Sequence, residues 1–219
     1  MFIGHFGLGF AAKRVAPQVG LGTLFLAAQF IDLLWPTFLL IGIERVAILP
    51  GATVVTPLDF QHYPFSHSFL AAGLWAAFVG GVYFAVRGAA GGAFVLFLLV
   101  LSHWFLDAVV HRPDLPLDPF GEVRVGLGLW NSIPATLAVE MPLFAAGCWL
   151  YARATRAADA IGRWGFVGLV VFLLAIQAAN LAGSPPPSVT AIAWVGQAQW
   201  LLVLCGYWLD RHRVPNAGE

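Results

Sequence analysis

His103, Asp107 and His111 fall at intervals of four in the stretch 101–114, LSHWFLDAVVHRPD, which closes a long run of Val, Leu, Phe and Ala. On a helix the three side chains form one stripe, each about 6 Å above the last. An imidazole and a carboxylate one turn apart can reach the same cation, because a metal–ligand bond is only ~2 Å long. His103 and His111, about 12 Å apart, cannot share one. The spacing therefore predicts that His103 and Asp107 hold a divalent ion, while His111 meets solvent or substrate or serves a second metal.

Other ionisable residues stand in similarly apolar surroundings: His5, Asp32, His67 and Glu140. A charge at the centre of a bilayer costs ~2.5–3.5 kcal/mol on insertion scales. Such groups are kept where they are paired, solvated in a cavity or bound to a ligand. His67, Asp32 and His5 are the candidates to complete a shell around His103 and Asp107. His62 joins them if the loop before Ser66 dips inward, as non-helical backbone can when it lines a protein cavity. Imidazoles and carboxylates without cysteine suit zinc, with manganese or iron as alternatives. Asp107, Asp32 and Glu140 are the candidate acid–base groups.

Each of these residues also has a plainer role open to it. His103 and Asp107 can be a helix-packing pair, Asp32 can bond Gln29, and Glu140 can neutralise a buried partner. Glu44 and Arg45 suggest an interfacial ion pair. Asp59, Asp114, Asp118, Glu122 and His212 suggest solvated loop or tail positions.

The elements that must position these side chains follow from composition. Of 219 residues, 60% are hydrophobic and 10% charged, with a mean hydropathy of +0.82. Soluble domains run nearer ~45–50% apolar and ~25% charged, so the chain is expected to be an all-α polytopic membrane protein, 1–219 forming a single integral membrane domain. Eleven basic residues balance eleven acidic ones, which suggests no nucleic-acid partner. Cys148 and Cys205 both lie in apolar runs, so neither a disulfide framework nor a cysteine-rich zinc site is expected. Lys13 and Arg14 follow the first apolar piece, the reverse of a signal peptide, which is therefore expected to be retained.

Six runs reach the ~20 residues a span requires: 19–40, 66–86, 91–110, 131–151, 163–182 and 191–209. A shorter apolar piece, 2–12, suits a half-helix or an interfacial segment. Lys13, Arg14, Arg87, Arg153, Arg156, Arg163, Arg211 and Arg213 fall on one side of these spans, and Arg45, Arg112 and Arg124 on the other. The positive-inside rule then puts the C-terminus in the cytoplasm and the 41–65 and 111–130 loops outside.

The order His5, Asp32, HYPFSHS at 62–68 and SHWFLD at 102–107 resembles the LexA-regulated, membrane-bound metal-dependent hydrolases of bacterial inner membranes. That family shows an N-terminal His, an Asp closing the first long helix, an H-R-G-x-T-H-S-like motif and a later H-x-x-x-D. The likeness covers roughly 1–116; Tyr63, Pro64 and Ser66 stand where the pattern has Arg, Gly and Thr. The H-x-x-x-D element is also similar to the site of zinc-dependent phospholipases C. The resemblance implies a metal-dependent hydrolase of the inner membrane, with one ion preferred over two.

The functional expectation is hydrolysis of a phosphoester or other ester on a lipid-like or small-molecule substrate reached from the outer side, among membrane lipids. A bound ion would lower the pKa of water, with Asp107 or Asp32 as general base. Two rivals use the same groups. A transporter or permease would make them a proton or metal relay, with Pro36, Pro134 and Pro142 as hinges. A haem carrier would need paired axial histidines and has no use for the carboxylates.

Overall fold

The computed structural model describes residues 1–216. It is 66% helical, with strand confined to three two-stranded antiparallel ribbons: the all-α polytopic architecture expected from composition. In chain order the helices and ribbons are α1 (Ile3–Ala12), α2 (Leu21–Ala28), α3 (Phe30–Leu40), β1 (Arg45–Ile48), β2 (Leu58–His62), α4 (Pro64–His67), α5 (Phe69–Arg87), α6 (Ala90–Val110), β3 (Leu115–Pro116), β4 (Arg124–Val125), α7 (Ile133–Ala154), β5 (Thr155–Ala157), α8 (Ala160–Ala182), α9 (Val189–Gln197), α10 (Gln199–Asp210) and β6 (Arg213–Pro215).

Five helical spans are long and apolar enough to cross a membrane: α5, α6, α7, α8 and the α9–α10 pair. A sixth forms if α2 and α3 are taken as one span bent by 58°. Their limits follow local chemistry. The Ser68, Ser132, Asp159 and Ser188 side chains cap α5, α7, α8 and α9 by accepting a backbone N–H three residues on. α5 ends on Gly88 at φ +64°, a left-handed position that glycine adopts without cost. α6 stops at His111, extended at ψ 145° two residues before Pro113.

The first expected span, 19–40, is broken at Gln29, whose φ of −104° and ψ of 7° leave the helical region. The expected 66–86 span is also subdivided. His67 ends the single turn α4, and an extended Ser68 separates it from α5.

α1 shows that the 2–12 piece is a half-helix and not an interfacial one. Its ten residues rise about 15 Å, half the ~30 Å hydrocarbon core, and eight of them are buried. The close approach that buries α1 rests on two glycines. A Cβ on Gly147 of α7 would lie 2.0 Å from the Gly7 carbonyl oxygen, and one on Gly7 2.9 Å from that of Leu143. Phe6, Phe10 and Phe25 then pack edge to face, with ring centroids 4.9 and 5.1 Å apart.

The two ends of the bundle differ. At one, β5 pairs with β6 and Lys13 Nζ lies 3.2 Å from Asp210 Oδ1. This gathers the predominantly basic termini of α1, α7, α8 and α10. At the other, the β1–β2 hairpin is tied to the loop before α7, where Trp130 O accepts from Val54 N and Val55 N.

Candidate metal centre

Four elements meet in the membrane-embedded part of the bundle, each bringing one or two ionisable groups. α6 contributes His103 and Asp107, α4 contributes His67, the first turn of α3 contributes Asp32 and α1 contributes His5. Their local structure explains the meeting. Asp32 is acidic in the first turn of its helix, where the backbone N–H groups favour negative charge. His67 reaches the interior because α4 is a separate turn set off from α5.

The break at Gln29 has a further effect. It leaves Ala28 O outside the regular helical ladder, and that oxygen accepts from His103 Nδ1 at 2.9 Å. With its proton on Nδ1, the imidazole presents a bare Nε2 to the centre. His67 is held in the same sense. Its Nδ1 lies 2.7 Å from Ser66 Oγ, which donates to Glu44 Oε2 at 2.6 Å. Glu44 also accepts from the backbone N–H groups of Phe65 and Ser66.

The groups facing the centre are spaced for one ion. His67 Nε2 lies 3.3 Å from Asp32 Oδ1 and 3.8 Å from Asp107 Oδ2. His103 Nε2 lies 3.6 Å from Asp32 Oδ1 and 3.2 Å from Asp107 Oδ2. A tetrahedron with ~2.0 Å bonds has edges of about 3.3 Å; the four separations run from 3.2 to 3.8 Å, two near that edge and two longer. His103 Nε2 is buried and makes no hydrogen bond despite two carboxylates within 3.6 Å. A cation between the four atoms would satisfy it. This buried His/Asp group can hold a metal ion: Asp32, His67 and His103 form one triad with ligand atoms within 4.8 Å of one another, and His5, His103 and Asp107 form a second.

His5 joins the cluster on different terms. Its ring stacks on His103, with centroids 3.6 Å apart and planes 2° apart, and its Nε2 lies 3.1 Å from Asp107 Oδ1. An imidazole binds a metal in its own plane, and two parallel stacked planes cannot both contain one ion. In this arrangement His5 holds Asp107 from behind while Oδ2 faces the centre. The Met1 amino nitrogen lies 2.5 Å from the same Oδ1.

Three expectations are corrected by position. His62 pairs with Arg45 across the β1–β2 ribbon and sets its ring 6.0 Å from Phe65, outside both triads; the chain dips inward only after it. Glu140 accepts from Phe2 N and Gly4 N at 3.1 and 3.4 Å, which makes it a cap on the start of α1 and not a group facing the four-atom centre. Glu44, expected to pair with Arg45, is buried at 1% exposure and serves Ser66 instead. Burial pushes the Glu44 carboxyl up from its ordinary pKa, with its Ser66 hydrogen bonds opposing.

Sequence reasoning also missed the network at the His111 end of α6. His111 Nδ1 lies 3.0 Å from Asp114 Oδ1, and Tyr63 Oη donates to the same oxygen at 3.1 Å. Arg112 bridges Asp114 and Asp59. Phe60 and Trp130 enclose the imidazole, with centroids 4.8 and 4.3 Å from it. Burial works to raise the Asp114 carboxyl, but hydrogen bonds from His111, Arg112 and Tyr63 outweigh it and hold it below the usual range. Asp114 is thus no solvated loop residue. A polar residue flanking a conspicuous histidine, as Ser66 flanks His67, was the available signal for such partners.

Only Asp32 opens the centre to its surroundings. Its side chain is 25% exposed, against 4% or less for His67, His103 and Asp107. No protein-family model, no curated protein and no solved structure matches the chain.

Proposed function

We propose that the chain is a membrane-embedded, metal-dependent hydrolase acting on an ester or phosphoester of a lipid-like molecule. One observation carries the reading: two imidazole nitrogens and two carboxylate oxygens from three elements stand at or somewhat beyond tetrahedral-edge distances around a bare, buried His103 Nε2. Zinc suits two nitrogen and two oxygen donors at this spacing. When bound, such an ion supplies Lewis acidity and brings the pKa of water towards ~7.

The protein's own groups have separate tasks. His103 and His67 are fixed in tautomer by Ala28 O and Ser66 Oγ. Asp107 is fixed by His5. Asp32, the one partly exposed donor, is the group that would yield its position to water at the open side and then accept that water's proton. His111, buried at 2% exposure between Phe60 and Trp130 and held by Asp114, braces its end of α6 and does not meet substrate directly. The order of site residues, similar to that of the inner-membrane hydrolases named above, supports the same assignment. The excess of Lys and Arg at the α7–α8 end supports, by the positive-inside rule, a cytoplasmic position for that end and the C-terminus in a bacterial inner membrane.

A transporter is the second reading. It is favoured by the break at Gln29 and by the buried amide atoms of Gln29 and Gln199 that lack hydrogen-bond partners. The deciding experiment uses purified protein with its metal content measured. Hydrolysis of a phospholipid phosphoester in detergent, abolished by chelation and by His103→Ala, establishes the enzyme. Metal-dependent uptake into liposomes without turnover establishes the transporter.

A further inference from the structure

A groove of about 500 Å³ runs along the membrane-embedded face between α2, α5 and α10. It lies away from the metal centre and no role assigned so far uses it. We propose that it binds an anionic phospholipid of the leaflet on the basic side, with one acyl chain in the groove and the phosphate on Arg87.

The groove is amphipathic along its length. Its deep end is walled by Leu26, Phe30 and Phe78. Its mouth carries Gln18, Arg87 and the hydroxyls of Thr23 and Tyr207, themselves 2.9 Å apart. From Phe78 to Arg87 is nine residues of one helix, a rise of about 13 Å. That is nearly half the ~30 Å hydrocarbon core, the depth of one leaflet.

Charge supports the headgroup assignment. Arg87 is exposed and makes no ion pair among the described residues. A guanidinium presents a fork of donors that matches a phosphate. Its end of the bundle is the one where basic residues predominate. The charge at the mouth favours a phosphate over a helix of a second copy, whose apolar face would leave Arg87 without a partner. An acyl chain is narrower and can lie along the apolar wall while the headgroup reaches Arg87.

The test uses the full chain, delipidated and placed in nanodiscs of phosphatidylcholine with a minor share of phosphatidylglycerol. Native mass spectrometry of the ejected protein reads the retained lipid. The wild type should retain phosphatidylglycerol over phosphatidylcholine, and Arg87→Gln should lower that preference about fivefold. Val82→Trp, at a position 48% exposed on the groove wall, should displace both lipids while leaving the zinc content unchanged. Equal phosphatidylglycerol retention by wild type and Arg87→Gln overturns the headgroup assignment. Lipid retained in full by Val82→Trp, or a dimer that Val82→Trp dissociates, overturns the groove as a lipid site.

Discussion

The imidazoles of His5 and His103 lie parallel, 3.6 Å between centroids, and reach different oxygens of Asp107, His5 the Oδ1 and His103 the Oδ2. The pair divides one carboxylate between two tasks: Oδ1 is held by α1, and Oδ2 is left to the centre.

This division separates ligands from supports. His103→Phe should leave the protein without bound metal. His5→Phe preserves the stacked shape and removes only the nitrogen on Asp107. It should still fill with one equivalent of zinc, at an affinity lowered by the 10–100-fold typical of outer partners. Elemental analysis with competitive chelator titration gives both numbers. An empty His5→Phe protein beside a full His103→Phe protein would reverse the assignment.

His67 depends on two residues behind it. Ser66→Ala removes the acceptor for its Nδ1 proton and strands the buried Glu44 carboxylate. Zinc affinity should fall by about 10–100-fold, and Ser66→Thr, which keeps the hydroxyl, should restore most of it. His62→Ala should change zinc content very little. Loss of metal in His62→Ala with Ser66→Ala unaffected would mean that the chain enters the bundle earlier than described.

The α1–α7 contact tolerates nothing larger than glycine. Gly147→Ala places a methyl group against the Gly7 carbonyl, and an overpacked core contact costs ~1–3 kcal/mol. Thermal unfolding in detergent should fall accordingly. Because α1 carries His5, zinc affinity should weaken in the same variant. Gly81→Ala, where an added Cβ meets nothing within 4 Å, is the matched control.

The network around Asp114 should loosen in acid. Asp114 titrates in the folded protein below its unfolded value of about 3.9. Its charged form therefore stabilises the fold above that value, and the contribution disappears as pH falls through the lower, folded pKa. Amide exchange at Leu127 and Gly128, which donate to Ala108 O and His111 O, reads the effect once corrected for intrinsic rates. Asp114→Asn should expose both amides at neutral pH and remove the acid dependence. Unchanged protection in that variant would disprove the coupling.

Orientation is tested from outside. In a variant lacking Cys148 and Cys205, Phe120→Cys, at a position 89% exposed, should react with an impermeant thiol reagent in intact cells. Labelling only after lysis would turn the protein over and place the centre nearer the cytoplasmic leaflet.

The spans were legible because hydropathy averaged over twenty residues does not depend on tertiary contacts. His103 and Asp107 were legible as neighbours because helical spacing is local. The break at Gln29 was not. Nothing in LAAQFID announces that a helix must stop there, since the compensating partner, His103 Nδ1, is 75 residues away. Glu44 and Asp114 were misplaced for the same reason. A carboxylate in a loop looks solvated until the fold supplies the hydroxyl or imidazole that buries it.

The half-length of α1 bears on how the protein comes to be assembled. Ten residues cannot settle stably across a bilayer alone, and their unpaired terminal backbone groups cannot be left in hydrocarbon. α1 must wait at the interface until α7 presents Gly147 and the Glu140 carboxylate that receives Phe2 N and Gly4 N. An element that precedes α7 in the chain is then installed after it. Until it docks, Asp107 lacks His5, so the centre is completed only after at least four later helices are in place. Until then the centre would hold metal more weakly, by the roughly 10–100-fold that a missing outer partner costs, and the order of construction itself sets when binding becomes tight.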